Sequence, residues 1–98
     1  MSPITDAQVE RVRRLVAAIP PGRVATYGDI ASAAELSSPR IVGWIMRTDS
    51  SDLPWHRVIT ASGRPAAHLA TRQLELLRAE GVLADDGKVN LADARHAF

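Results

Sequence analysis

Helix-breaking residues divide the first half of the chain into short helical segments. Residues 20–22, with the sequence Pro-Pro-Gly, end a first helix, because proline cannot continue the hydrogen-bond ladder and glycine permits a turn. Residues 37–39, Ser-Ser-Pro, start another, with a serine cap before proline at the first helical position, where its missing N–H costs nothing. The sequence therefore predicts short helices joined by tight turns.

Apolar spacing and capping residues place three helices in this half. Thr5 or Asp6 can cap the first helix, in which apolar residues recur at helical spacing. The second runs from Tyr27 to about residue 35, after Thr26 and Asp29, which form a variant capping box. The third runs from residue 39 to about 48. One of its faces is predicted to carry Ile41, Trp44, Ile45 and Thr48, and another Arg40, Gly43 and Arg47.

The second and third helices, joined by a tight turn, form a helix-turn-helix pattern. Downstream, residues 53–59 approach a strand, and residues 61–65 are a turn that we interpret as a small wing. Thr71 is predicted to cap a last helix that ends near residue 80, before a turn at 85–88 and a final strand at 89–91. The fold class is thus predicted as α+β, mainly α: a winged helix-turn-helix in a single domain spanning residues 1–98.

Composition limits the chemistry that the chain can carry. It has 98 residues, 46% of them hydrophobic and 23% charged, as in an ordinary folded domain. The lack of cysteine removes disulfides, thiolate metal sites and a cysteine nucleophile. The three histidines are too far apart in sequence to suggest a local metal site, so neither a metal nor a cofactor is expected: His56, His68 and His96.

Charge and hydropathy suggest where the protein acts. Charged residues interrupt the first 20 positions, so no signal peptide is expected, and no apolar stretch approaches the length of a membrane span. We therefore expect a soluble, cytoplasmic protein, nucleoid-associated if bacterial. The net charge is only +1, but residues 37–77 carry five arginines against three acidic residues, which favours a polyanion partner for this stretch.

The most informative motif is PWHRV at residues 54–58, which follows the helix-turn-helix and GRVATYGDI at residues 22–30. From about residue 19 to 82 the chain resembles the DNA-binding domain of the O6-alkylguanine-DNA alkyltransferases, which have cysteine where Trp55 stands. It looks like the alkyltransferase-like proteins, which bind the same lesions without removing them. The indole nitrogen is only a donor and cannot accept an alkyl group. No covalent transfer, and so no enzyme, is expected.

The resemblance also implies roles for single residues. His56 and Glu80 match the relay that serves the missing nucleophile, and they are interpreted as a structural remnant. Arg40 matches an arginine finger that fills the gap left by an extruded base, and a cation at a helix start otherwise opposes the helix dipole. Gly43 would allow close approach to the minor groove. The lesion pocket is predicted from Tyr27, Met46, Pro54, Trp55 and Val58.

Further basic residues are candidates for contact with the DNA. Arg47, Arg64 and Arg72 are predicted phosphate contacts, and Tyr27 is expected to crowd the phosphate and help rotate the nucleotide. Either Arg64 or His68 is expected to reach the damaged base. The implied partners are duplex DNA containing O6-alkylguanine and, through the family alone, nucleotide excision repair proteins. A monomer is expected, because one pocket needs no symmetry.

Two other functions fit parts of the sequence. A winged-helix transcription regulator would use the same helix-turn-helix in the major groove, but the helix offers few base-reading side chains. A hydrolase would use His56 and Glu80, but neither a positioned nucleophile nor a metal cluster accompanies them. The sequence favours a non-catalytic sensor that flips the damaged base and bends the DNA.

Overall fold

The computed structural model describes residues 4–98, so residues 1–3 of the predicted domain lie outside the described residues. The fold is mainly helical, as predicted. The helices are α1 (Asp6–Ala17), α2 (Tyr27–Ala33), α3 (Pro39–Thr48), α4 (Ala70–Ala79) and α5 (Leu91–Ala94). Four two-residue strands complete it: β1 (Ala25–Thr26), β2 (Val58–Ile59), β3 (Ala84–Asp85) and β4 (Lys88–Val89). Short 3-10 turns cover Trp55–Arg57 and Ala67–Leu69.

Side-chain caps fix where the first three helices begin. The Thr5 hydroxyl accepts from the Gln8 N–H at 3.1 Å, which makes Thr5 the cap of α1. Thr26 and Asp29 form the predicted reciprocal capping box of α2, with hydrogen bonds of 3.0 and 3.2 Å. Ser38 accepts from the backbone N–H at position 40, and Pro39 takes the first position of α3. The predicted span of α3 is confirmed.

The β1–β2 pair separates two clusters of buried side chains. The strands are parallel, with Ala25 opposite Val58. Side chains alternate between the faces of a strand, and Ala25 and Val58 accordingly pack with the buried residues of α1, α2 and α3. Val24 and Ile59 instead join Leu77 of α4 and residues near the carboxyl end. A backbone bridge from Val24 to Arg95 closes this second cluster.

The structure shows which side of α3 faces the core. Val42 and Ile45 are fully buried, whereas 45% of Trp44 is exposed and Thr48 is also exposed. At about 100° of rotation per residue, Trp44 lies about 160° around the helix from Val42. Of the residues predicted to share one face of α3, Ile45 is therefore buried, while Trp44 and Thr48 are turned toward the solvent.

The second half of the chain departs most from the predictions. Within residues 53–59, predicted to approach a strand, Trp55–Arg57 form a 3-10 turn and Val58–Ile59 form the strand β2. α4 follows directly from the second 3-10 turn with no side-chain cap, so the prediction that Thr71 caps it was wrong. Asn90, predicted within a final strand, instead caps α5 through its side-chain oxygen.

The antiparallel hairpin lies elsewhere than the predicted wing. β3 pairs with β4, and the turn between them places Asp86 and Gly87 at positive φ, as a type I′ hairpin requires. Residues 61–65 form a turn that docks on this hairpin, where the Val89 N–H donates to the Gly63 carbonyl at 2.8 Å. The turn prediction at 61–65 was correct, and the wing prediction there was wrong.

No helix in the described part of the chain combines the length and apolar character needed to cross a bilayer.

Candidate nucleic-acid interface

A cavity of about 340 Å³ opens between α2, α3, the Trp55 turn and the start of α4. This volume is within the range of small-molecule pockets. Four of the five residues predicted for a lesion pocket line it, while Pro54 precedes the turn and is not part of the wall. The lining residues are Tyr27, Gly43, Met46, Arg47, Thr48, Ser50, Ser51, Trp55, Val58, Ala66, His68, Leu69 and Gln73.

Local hydrogen bonds shape the turn that presents Trp55. The Trp55 N–H donates to the Leu53 carbonyl at 2.7 Å, and the Arg57 N–H donates to the Pro54 carbonyl at 3.0 Å. The Trp55 and His56 rings meet edge to face, with centroids 6.1 Å apart. Trp55 is half-buried, so part of the indole faces the cavity.

Gln73 of α4 holds this turn from behind. Its buried amide Nε2 donates to the carbonyl of His56 at 3.0 Å and to that of Val58 at 2.7 Å. These bonds give both backbone oxygens a partner, which matters because a buried carbonyl without one is costly. Gln73 was not among the predicted site residues, since a glutamine in a helix gives no signal of what it will bind.

Glu80, just after α4, is the centre of a second network around the turn. Arg57 donates to its carboxylate from Nε at 3.0 Å and Nη2 at 2.6 Å, and His56 Nε2 lies 2.8 Å from Oε2. The backbone N–H of Gly22 also donates to Glu80, and Arg57 reaches the Ile19 carbonyl. These bonds, led by those from Arg57, lower the pKa of Glu80 from 4.5 to about 2, against the opposing effect of partial burial.

The Glu80 network joins three parts of the chain. It ties the turn after α1, the Trp55 turn and the end of α4 through one carboxylate. The side chains of His56, Arg57 and Glu80 are each only 14–16% exposed. The predicted pair of His56 and Glu80 is therefore in hydrogen-bond contact, and Arg57, to which the sequence analysis gave no role, supplies most of the carboxylate's bonds.

Tyr27 enters the cavity wall as the first residue of α2. The capping box of Thr26 and Asp29 fixes that helix start, and Arg95 adds two bonds to the Asp29 carboxylate at 2.7 and 2.9 Å. The bonds from Arg95 lower the pKa of Asp29, while burial raises the pKa of Tyr27. The Tyr27 ring is thus held by a helix whose first turn is anchored on two sides.

The outer face of α3 carries free cations beside the cavity. The side chains of Arg40 and Arg47 are exposed, and neither makes a hydrogen bond or ion pair within residues 4–98. A Cβ placed on Gly43 would meet nothing within 4 Å, so this stretch of the helix is open to close approach from outside. α3 contains no acidic residue that would neutralise this face.

The remaining predicted basic residues lie apart from the cavity wall. Arg64 donates to the Asp86 carbonyl of the hairpin turn at 3.0 Å and does not line the cavity. Arg72 lies 3.8 Å from Glu75 on the exposed side of α4. Of the two candidates to reach a bound base, His68 is the one in the wall.

The loop after α3 is fixed by α1. Arg13 donates to the Asp49 carbonyl at 2.7 Å and to the Asp52 carboxylate at 2.6 Å, which lowers the pKa of Asp52. Ser50 donates to the Met46 carbonyl.

No three side chains of the types His, Asp or Glu come together as a metal site in the part of the chain that the structure describes.

The fold and its cavity can be compared with known proteins. A family model described as the 6-O-methylguanine DNA methyltransferase DNA-binding domain matches residues 7–82. The chain belongs to this methyltransferase DNA-binding-domain family. The resemblance found in the sequence is thereby confirmed.

Relatives within the family share most of the chain. A "DNA base-flipping protein" of Escherichia coli is 40% identical over 94 residues, covering 88% of this chain and 71% of that protein. "Alkyltransferase-like protein 1" of Schizosaccharomyces pombe is 38% identical over 84 residues, covering 79% of this chain and 78% of its own length.

Solved structures of the family agree with the fold. The S. pombe Atl1 protein, in complex with damaged DNA containing O6-carboxymethylguanine, superimposes with a TM-score of 0.86 at 31% identity, covering 96% of this chain and 98% of that one. The Mycobacterium tuberculosis O6-methylguanine methyltransferase superimposes with a TM-score of 0.67 at 32% identity, and the match covers 84% of this chain and 52% of that longer one. The predicted alkyltransferase-like fold is therefore confirmed.

Proposed function

We propose that this protein recognises O6-alkylguanine in duplex DNA, receives the extruded base in the cavity beside Trp55, and leaves the alkyl group in place. The observation that carries the proposal is the position of the cavity, which lies directly beside the unpaired cations of α3. The arginines of α3 would attract the phosphates of the DNA backbone. The cavity next to them has aromatic rings in its wall, on which a base extruded from the duplex could stack. The name of the E. coli relative and the damaged DNA bound to S. pombe Atl1 support the same function.

The absence of alkyl transfer follows from the side chain at position 55. Trp55 stands beside His56, where the resemblance implies the acceptor cysteine, and the chain contains no cysteine elsewhere. An indole N–H can donate a hydrogen bond but cannot become a soft nucleophile. His56 and Glu80 then act as structural residues, because their bonds hold the turn against α4. Trp55 supplies a surface on which a base can stack.

Each predicted contact has a physical role in this proposal. Arg40 fills the gap in the base stack, since a planar cation can occupy it and bond the orphaned base. Tyr27 crowds the phosphate of the rotating nucleotide, and Gly43 lets α3 approach the minor groove closely. Met46 and Val58 supply apolar wall, Pro54 shapes the turn, and His68 reaches the base. Arg47, Arg64 and Arg72 bind phosphates.

The partners follow from the family and stay proposals. The DNA-bound protein would mark the lesion for nucleotide excision repair proteins in the cytoplasm, on the nucleoid in a bacterium. One protein molecule would bind one lesion, because the cavity and the arginine face belong to the same chain.

The decisive experiment titrates the protein with two duplexes that differ only in one guanine, either plain or O6-methylated, at one stated salt concentration. We expect tighter binding to the methylated duplex, with the methyl group still on the DNA and the protein mass unchanged afterwards. Equal affinity for both duplexes would contradict lesion recognition and favour a general or sequence-specific DNA binder. A protein heavier by one methyl group would contradict the non-catalytic reading.

Arg40→Ala tests the finger role. We expect a loss of about tenfold or more in affinity for the methylated duplex, because extrusion then leaves an unfilled gap in the stack. Arg78→Ala is the matched control, since Arg78 is an exposed arginine of the last turn of α4, outside the cavity wall. If Arg40→Ala and Arg78→Ala reduce the affinity for the methylated duplex by the same small factor, Arg40 contributes only its positive charge.

A further inference from the structure

Trp44 stands on the outer face of α3 between the two unpaired arginines. It follows Arg40 by four residues and precedes Arg47 by three, which places the three side chains on one side of the helix. The core lies on the opposite side, where Val42 and Ile45 are fully buried. With 45% of its surface exposed, Trp44 presents a broad aromatic plane to the solvent.

The functions described so far do not use this indole. Trp44 does not line the cavity, and its ring takes part in none of the aromatic pairs found among residues 4–98. The Trp44 backbone carbonyl accepts a hydrogen bond from the Thr48 hydroxyl at 2.8 Å. Leaving so large an apolar side chain at the surface brings no folding benefit to the exposed part.

The surroundings of Trp44 identify the kind of partner that fits it. Arg40 and Arg47, which have no hydrogen-bond or ion-pair partner among residues 4–98, flank the indole, and α3 has no acidic residue. A protein partner with an apolar patch would leave these charges unmatched, whereas a nucleic acid offers phosphates for the arginines and apolar sugars and base faces for the ring. Charge complementarity therefore favours duplex DNA as the occupant of this face.

We infer that Trp44 is a second, lesion-independent DNA contact: its indole enters the groove on the side of Arg40 away from the cavity and wedges against a base step. The inference rests on the proposed function for the orientation of α3 on the duplex. Inserted apolar side chains partly unstack a step and help to bend the duplex. Because the indole lies outside the cavity, it acts equally on damaged and undamaged DNA.

The test compares Trp44→Ala, Trp44→Phe and Leu83→Ala with the parent chain on the plain and O6-methylated duplexes. Leu83 is the matched control, because it is 72% exposed and lies beside the outer side of α4 rather than on α3. We expect Trp44→Ala to lose about tenfold in affinity for both duplexes, the effect of removing one stacking aromatic ring. Trp44→Phe should recover part of this loss, and Leu83→Ala should bind like the parent.

A second measurement avoids dependence on the folding of the alanine variant. In a Trp55→Phe chain, Trp44 is the remaining tryptophan, and its quenching by acrylamide reports how far water reaches it. We expect a saturating concentration of the plain duplex to shield Trp44 from quenching by acrylamide.

The outcomes separate the inference from the function on which it rests. Parent-like binding by Trp44→Ala, with Trp44 still accessible to acrylamide on DNA, would overturn the inference and leave this face for a protein partner. A loss confined to the methylated duplex would also overturn it, because Trp44 would then belong to lesion recognition. Equal binding of both duplexes by the parent chain would refute the proposed function, while the effect of Trp44→Ala would still be measured.

Discussion

Replacing Glu80 with glutamine should remove a large part of the stability of the protein. Glu80→Gln keeps the shape of the side chain but deletes the charge that Arg57 and His56 bind. Lowering the pKa of Glu80 from 4.5 to about 2 corresponds to about 3 kcal/mol, because each pKa unit is worth about 1.4 kcal/mol. The carboxylate is 16% exposed, so solvent screens this interaction only in part.

The pH dependence has a definite direction. A carboxyl group whose pKa is lower in the folded chain stabilises the fold fully above its unfolded pKa. This contribution is complete above about pH 4.5 and is lost as the pH falls toward 2. Asp29 and Asp52 also have lowered pKa values, but both variant and parent contain them, so the difference between the two unfolding curves isolates Glu80.

Urea unfolding followed by tryptophan fluorescence at pH 7 and pH 3 measures this difference. We expect Glu80→Gln to lose about 3 kcal/mol of unfolding free energy at pH 7, and the gap from the parent to narrow at pH 3. Glu75→Gln is the control, because its pairing with Arg72 at 3.8 Å is exposed and should be worth at most about 0.5 kcal/mol. A loss from Glu80→Gln no larger than that of the control would refute the view that the network holds the turn.

Two further predictions concern the turns in the second half of the chain. Gln73→Leu should cost about 2 kcal/mol of unfolding free energy, because the carbonyls of His56 and Val58 lose their donor. It should also speed amide hydrogen exchange in residues 55–59, and an unchanged exchange rate would show that the Trp55 turn does not depend on Gln73. Gly63→Ala should cost about 2 kcal/mol more than Gly81→Ala in thermal unfolding, because both glycines have positive φ but only at Gly63 would the new methyl group press against the Val89 carbonyl. Equal losses would mean that the turn at 61–65 is free to move away from the hairpin.

Local signals were sufficient where a single residue dictates the backbone. Pro39 after a serine fixes the start of α3, and Thr26 with Asp29 fixes the start of α2, because these side chains satisfy the first N–H groups of their own helices. The hairpin at 84–89 was not predicted, because the turns at 61–65 and 85–88 have similar residue types. Which of the two turns joins a pair of strands depends on the strand pairing, which the sequence does not show. The start of α4 was misplaced because a preceding 3-10 turn, not a side chain, leads into it.

The cavity was predicted better than the contacts that support it. The resemblance placed Tyr27, Met46, Trp55 and Val58 together, and the structure brings all four into one wall. It did not show that Gln73 would hold the turn, because that bond depends on the packing of α4. Arg64 and His68 could not be separated from the sequence, since their directions depend on the hairpin that binds Arg64.

The register of the β1–β2 pair also determines where the chain can change in length. Adding one residue within 24–26 would exchange Val24 and Ala25 between the two clusters of buried side chains and disrupt both. The loop at 49–52 is different, because it ends before the Trp55 turn: the Trp55 N–H bonds to Leu53, and the residues that follow Trp55 are tied to α4. A change of length there would cost the bonds from Arg13 to Asp49 and Asp52 and would move Ser50 and Ser51 in the rim of the pocket, but it would leave the bonds that hold the Trp55 turn to α4.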